Sequence, residues 1–188
     1  MQSRAELILI RHAPVTKQGY LFGRTDVEAR IDPDAIGRLR ARLGPMTRVV
    51  SSPALRCRQT AEALFGGHTQ DARLWEQDFG DHDGLPFDDL PDIGILDNLT
   101  LAEHASPNGE SFADVCVRAG PALVEFGIAA HHEGTIALVV HAGVIRAALA
   151  LVIGHVPGAL AFELATLSVT RLGCGPNGPW SAIEVNRT

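Results

Sequence analysis

The chain has 188 residues, 46% of them hydrophobic and 20% charged, with a formal net charge of −6. This length suits one globular domain, residues 1–188, large enough to bury a substantial core. The acidic balance argues against a nucleic-acid partner, and no run of 18 apolar residues exists to make a membrane span.

The first residues, MQSRAELILIRHA, hold only four strongly apolar residues in a row before Arg11, which is not the pattern of a signal peptide. Leu7 to Ile10 reads instead as a buried strand with Arg11-His12 at its C-terminal end. Gly19 and Gly23 make the next segment a loop. Asp32-Pro33 reads as an N-cap followed by proline at the first helical position, with the helix running to about Leu43 before Gly44-Pro45. Val49-Val50 is a second short strand. Ser52-Pro53 repeats the cap-plus-proline signal and starts a helix to about Phe65, ended by Gly66-Gly67. Residues 76–98, rich in Asp, Gly and Pro, form a long excursion loop with one helical turn; loops of this length are functional or disordered.

Asn108 to Ser111 opens a long helical segment reaching about Ala130, which Pro121 would bend or break. Thr135 to Val140 is a third strand, followed by His141. Gly143 to Ile153 is an apolar helix ended by Gly154, and residues 161–172 and 180–185 alternate as strands do. The repeated strand-to-helix order implies an α/β fold with a largely parallel central sheet. His12, Ser51-Ser52 and His141 all fall at strand C-terminal ends, where such folds place their sites.

Four residue groups there carry chemistry. Arg11-His12 pairs a nitrogen able to attack phosphorus with a guanidinium that keeps it neutral and can hold a phosphate; alone, the pair is better read as an ordinary surface pair at a strand end. Arg56 sits in the first turn of a helix whose N-terminus already attracts anions. Arg58, facing elsewhere, reads as solvated. His141, after an apolar strand, would be a satisfied core histidine on its own, or a donor to phosphoryl oxygens beside His12. Glu76 lies where an anionic substrate would raise its pKa, which suits a group that protonates a leaving alkoxide. It is otherwise a loop glutamate, with Asp78, Asp81 and Asp83 as rivals. The remaining histidines read as ordinary, and adjacent His131 and His132 diverge too far to make a metal pair.

Taken in order, these segments resemble the histidine phosphatase superfamily, the phosphoglycerate mutase-like proteins. LILIRHA is similar to its R-H-G signature, and SSPALRCRQTAEAL to its S-S-P-L-x-R-A-x-Q-T-A segment. LWEQDFGDHDG is similar to L-x-E-x-x-x-G-x-W-E-G, PNGES to P-x-G-E-S, and VVHAGVIRAAL to V-x-H-G-G-V-I-R. The resemblance covers residues 7 to 150. It implies a three-layer α/β/α sandwich and a phosphomonoester hydrolase with no metal and no organic cofactor. His12 would be the phosphorylated nucleophile. Arg11, Arg56 and His141 would form the phosphate pocket, and Glu76 would be the general acid and then the base. Ala13 and Ala142 stand where the family has glycines, which requires backbone angles that alanine adopts. Pro14 to Gln18 replaces E-T-x-x-N, and His82-Asp83-Gly84 replaces W-E-G.

Within the family, the chain is too short for the insertion of cofactor-dependent mutases. GYLFGRTDVEA resembles a segment of α-ribazole phosphatases, with Arg24 at the pocket mouth touching the substrate or else paired with Asp26. The long loop points to a covered pocket and a small phosphorylated substrate, possible examples being α-ribazole 5′-phosphate or the range taken by a broad-specificity phosphatase. A protein phosphohistidine phosphatase and a non-catalytic phosphate-binding module are the alternatives. Cys57, Cys116 and Cys174, odd in number and widely spaced, read as reduced thiols of a cytoplasmic protein.

Overall fold

The computed structural model describes residues 5–188; residues 1–4 of the expected domain lie outside them. In chain order its elements are β1 (Glu6–Arg11), α1 (Pro33–Arg42), β2 (Arg48–Ser51), α2 (Leu55–Phe65), β3 (Thr69–Gln70), α3 (Asn98–Glu103) and α4 (Phe112–Glu133). β4 (Ile136–Val140), α5 (Ala142–Ile153), α6 (Val156–Ala159), β5 (Val169–Gly175) and β6 (Gly178–Arg187) follow. The six strands form one sheet in the order β3-β2-β4-β1-β5-β6. The pairs β3-β2, β2-β4 and β4-β1 are parallel, and β1-β5 and β5-β6 are antiparallel.

The apolar run of β1 is buried on both faces because helices cover both. Ile8 and Ile10 pack with Val139 against Ile36 and Leu39 of α1 and Cys57, Ala61 and Leu64 of α2. Leu7 and Leu9, pointing the other way, pack with Leu138 and Val140 against α4 and α5. This is the expected three-layer α/β/α sandwich with a mostly parallel sheet.

Local signals account for most boundaries. The Asp32 carboxylate accepts from the Asp34 amide ahead of α1, which has Pro33 at its start. Ser111 and Asp114 form a reciprocal capping box at α4. Pro121 does not break α4. It sits exposed, and the carbonyl it leaves without a partner belongs to Val117, another solvent-facing residue.

Two boundaries differ from expectation. α2 starts at Leu55 with Ala54 as its uncapped N-terminal neighbour, while the Ser52 hydroxyl accepts from the Ala54 amide at 3.3 Å and lies 2.8 Å from His141 Nε2. Residues 161–168 are not strand; β5 begins at Val169. The carbonyls of Phe162 and Leu164 turn inward to accept from Arg146 and Arg11, and Leu167 has a φ of 59°, so no ladder can form there. β3 is only two exposed residues, too short to leave a pattern.

Candidate active site

The parallel strands β1, β2 and β4 end side by side. The amide of His12 donates to the Val140 carbonyl and that of Ser52 to Val139, so the residues after each strand share one edge of the sheet. Ala13 is fixed there by a hydrogen bond from its amide to Thr60 Oγ1. Neither Ala13 nor Ala142 has a positive φ, so both positions accept alanine.

His12 Nδ1 lies 2.7 Å from the Ala13 carbonyl oxygen. A carbonyl only accepts, so Nδ1 carries the proton and Nε2 the lone pair. Burial, then the charges of Arg56 and Arg11, push the His12 pKa down to about 3. The His12 imidazole is therefore neutral at physiological pH. The His141 ring packs edge to face against it, with centroids 5.2 Å apart. That separation leaves no room for a phosphate between the two ring faces. His12 lines a cavity, and the fully buried His141 stands behind it. His141 Nε2 lies 2.8 Å from Ser52 Oγ and 3.4 Å from Cys57 Sγ. Burial and then Arg56 push its pKa far down.

Two guanidiniums face the same cavity. Arg11 donates to the Leu164 carbonyl. Arg56, the second residue of α2 and only 1% exposed, donates to the carbonyls of Gly23 at 2.7 Å, Thr25 at 3.2 Å and Phe22 at 3.4 Å. The loop making those contacts is itself gripped from behind. The Asp83 carboxylate accepts from the amides of Gly23, Arg24 and Thr25 at 3.0, 2.6 and 3.1 Å. Gly23 has no room for a side chain, since a Cβ there would come within 2.0 Å of the Gln77 carbonyl oxygen.

Glu76 lines the same cavity. Its Oε1 accepts from the amides of Gln77 and Gly143, both at 3.1 Å. Burial raises its pKa, and those hydrogen bonds with the charges of Arg56 and Arg11 oppose the rise. The segment carrying it is held by a carboxylate–guanidinium pair. Arg118 donates to Glu110 at 2.7 and 2.9 Å and to the backbone carbonyls of Arg73, Trp75 and Glu76, while Glu110 accepts from the Asp78 amide.

The structure thus brings Arg11, His12, Arg56 and Glu76 to one cavity of about 260 Å³, with His141 behind His12. Arg24 does not line it. Its guanidinium lies 3.5 Å from Glu110 and over the Trp75 ring, while Asp26 accepts from the Leu55 amide instead of pairing with Arg24. The members of its segment that reach the cavity are Tyr20, Leu21 and Phe22. The three rival aspartates are occupied elsewhere: Asp78 with the Gly80 amide, Asp81 with Asn108, and Asp83 with the loop behind Arg56. Sequence reasoning passed over Arg146, a third guanidinium on the cavity wall whose Nε donates to the Phe162 carbonyl. Its place in VIRAAL, five residues after His141, was the available signal. Among the described residues, no group of three or more His, Cys, Asp and Glu side chains is placed to hold a metal, and no helix is long and apolar enough to cross a membrane.

Known proteins share this arrangement of strands and helices. The structure of Bacillus stearothermophilus YhfR superposes with a TM-score of 0.84 at 25% identity, covering 97% of each chain. That of the mycobacterial glucosyl-3-phosphoglycerate phosphatase complexed with VO3 gives 0.82 at 25% identity, over 99% of this chain and 100% of the other. No curated protein sequence matches the chain. The family profile of the histidine phosphatase superfamily (branch 1) matches residues 7–188. With nearly its whole length inside that match, the chain belongs to the histidine phosphatase superfamily, branch 1.

Proposed function

We propose that the protein hydrolyses phosphomonoesters of small metabolites through a phosphohistidine at His12. The observation that carries this reading is the state of His12: a neutral imidazole, its Nδ1 proton committed to the Ala13 carbonyl, its Nε2 lone pair free in a cavity walled by Arg11, Arg56 and Glu76. Nε2 attacks phosphorus as the ester oxygen leaves, and Glu76 gives that oxygen its proton. Water then attacks the phosphohistidine, with the Glu76 carboxylate taking its proton, and inorganic phosphate departs. Arg11 and Arg56 neutralise the equatorial oxygens, with His141 packed behind His12.

The excursion of residues 76–107 stands over the cavity, which favours small substrates over a phosphorylated protein. The likeness of GYLFGRTDVEA to α-ribazole phosphatases makes α-ribazole 5′-phosphate the first named substrate to assay. Three free cysteines suit the reducing cytoplasm. The test is a rapid alkaline quench during turnover of p-nitrophenyl phosphate. Phosphate is expected on His12, and His12→Ala is expected to bind vanadate without turning over. A His12→Ala protein with near-normal turnover would remove the covalent step. A wild-type protein that binds phosphate but never turns over would be a binding module.

A further inference from the structure

The cavity at His12 does not end at the phosphate site. A second cavity of about 320 Å³ continues from it under the excursion, and the two share Leu21, Gln77, Phe79, Phe112, Arg146 and Leu160 as walls. Beyond that throat the new walls are chiefly Leu90, Pro91, Ile93 and Leu101, with His82, His104 and Ser106 the other polar residues. No carboxylate lines it.

The first cavity has an unusual composition of its own. The chain has seven Phe, two Trp and one Tyr. Half of these ten, Tyr20, Phe22, Phe79, Phe87 and Phe112, line it. Tyr20 and Phe22 stack with centroids 5.8 Å apart, and Phe87 is 55% exposed. A protein with so few aromatic rings has placed half of them around a phosphate site that needs none for its chemistry.

From this geometry, and resting on the phosphatase reading above, we infer that the second cavity is a subsite for the alcohol half of the substrate, and that this half is an apolar, ring-sized body. The phosphoryl group sits at Arg11, His12 and Arg56, and the body passes the Phe79–Phe112–Leu160 throat to lie among Leu90, Ile93 and Leu101. A sugar is the wrong occupant. Among Leu90, Pro91, Ile93 and Leu101 its several hydroxyls would lose water and outnumber the few polar partners, His82, His104 and Ser106, and unpaired polar groups are penalised more heavily than a missing apolar contact. Gln77, a polar wall of the throat, already donates its amide to the Glu110 carbonyl at 2.7 Å. Arg146 bounds both cavities and keeps its Nη groups free of the Phe162 carbonyl, so one polar or anionic substituent is tolerated at the junction.

Binding of non-hydrolysable phosphonates separates this inference from the chemistry on which it rests. Calorimetry on the wild-type protein with methyl-, butyl-, benzyl- and naphthylmethyl-phosphonate should give affinities that rise along the series. The rise should be about fourfold for each buried methylene, corresponding to about 0.8 kcal/mol. Ile93→Asp and Leu101→Asp, at partly exposed positions that tolerate a charge, should flatten the series by lowering the naphthylmethyl-to-methyl ratio. In parallel, kcat/KM for naphthylmethyl phosphate, whose leaving group is an alkoxide like that of the sugar, should exceed that for glucose 6-phosphate at least tenfold. A flat phosphonate series, or a preference for the sugar phosphate, overturns the subsite. Absence of turnover with a steep phosphonate series overturns the phosphatase reading and leaves the subsite standing.

Discussion

The amide of Gly143 donates to the Glu76 carboxylate at 3.1 Å, and a Cβ at position 143 would stand 2.3 Å from that same oxygen. The two residues fit as a pair: α5 offers Glu76 a donor because its second residue has no side chain. Glu76→Gln should therefore slow alkyl phosphate hydrolysis by about 10²–10⁴-fold, and that of p-nitrophenyl phosphate much less, because nitrophenolate leaves without a proton. Gly143→Ala should give the same pattern with a smaller loss, since it displaces the carboxyl without removing it. Equal, small losses on both substrates would move the acid role to His141 or a neighbouring aspartate.

His12 and His141 make the fold acid-sensitive. Both have depressed pKa values in the folded state, His12 to about 3, through burial first and Arg56 second. The unfolded chain binds protons at these histidines below about pH 6.5 while the folded one does not, so stability falls as pH drops from there, ending near pH 3 for His12. Each contributes a slope of up to about 1.4 kcal/mol per pH unit. Urea midpoints at pH 7.5, 6 and 5 should show this decline, and His12→Gln should shrink it. An identical decline in the variant would exclude His12 as its source.

Asp83 should affect phosphate binding without touching phosphate. Asp83→Ala frees three amides of the loop whose carbonyls hold Arg56, and vanadate affinity should fall roughly ten- to a hundredfold. Asp83→Asn keeps one acceptor oxygen and should restore part of the affinity. Unchanged vanadate inhibition in Asp83→Ala would show that Arg56 is held by its own packing.

Arg11 and Arg56 already supply the positive field that a dianion needs, so turnover should survive exhaustive chelation, and vanadate should inhibit without an added cation. Activity lost with chelator and restored by a divalent ion would require a different chemistry.

Much of this architecture was legible because it rests on short-range signals. Asp32-Pro33 marked α1, and the apolar runs of β1 and β4 marked strands buried on both faces. The meeting of Arg11, His12 and the start of α2 with Arg56 could be anticipated because parallel strands deliver their C-terminal residues to one edge, while Glu76 followed from the family resemblance of its segment. What escaped depends on contacts between distant segments. Ser52 reads as a cap because cap chemistry is local, whereas the nearer partner of its hydroxyl is a residue 89 positions away. Residues 161–168 alternate like a strand, yet their carbonyls are claimed by Arg11 and Arg146. Arg24 has the charge to meet a substrate, but Glu110, fixed by Arg118, stands closer. The second cavity has no sequence signature, because its walls come from four separate stretches of chain.

The guanidiniums of Arg11, Arg56 and Arg146 all grip main-chain oxygens: those of Leu164, of Phe22, Gly23 and Thr25, and of Phe162. Every amino acid presents the same carbonyl, so the grip is indifferent to which side chains those loops carry. Mutational drift can rewrite the side chains that greet the alcohol half of a substrate while the cationic frame stays anchored. A scaffold wired in this way can exchange one substrate for another over evolutionary time without first dismantling the centre that does the chemistry.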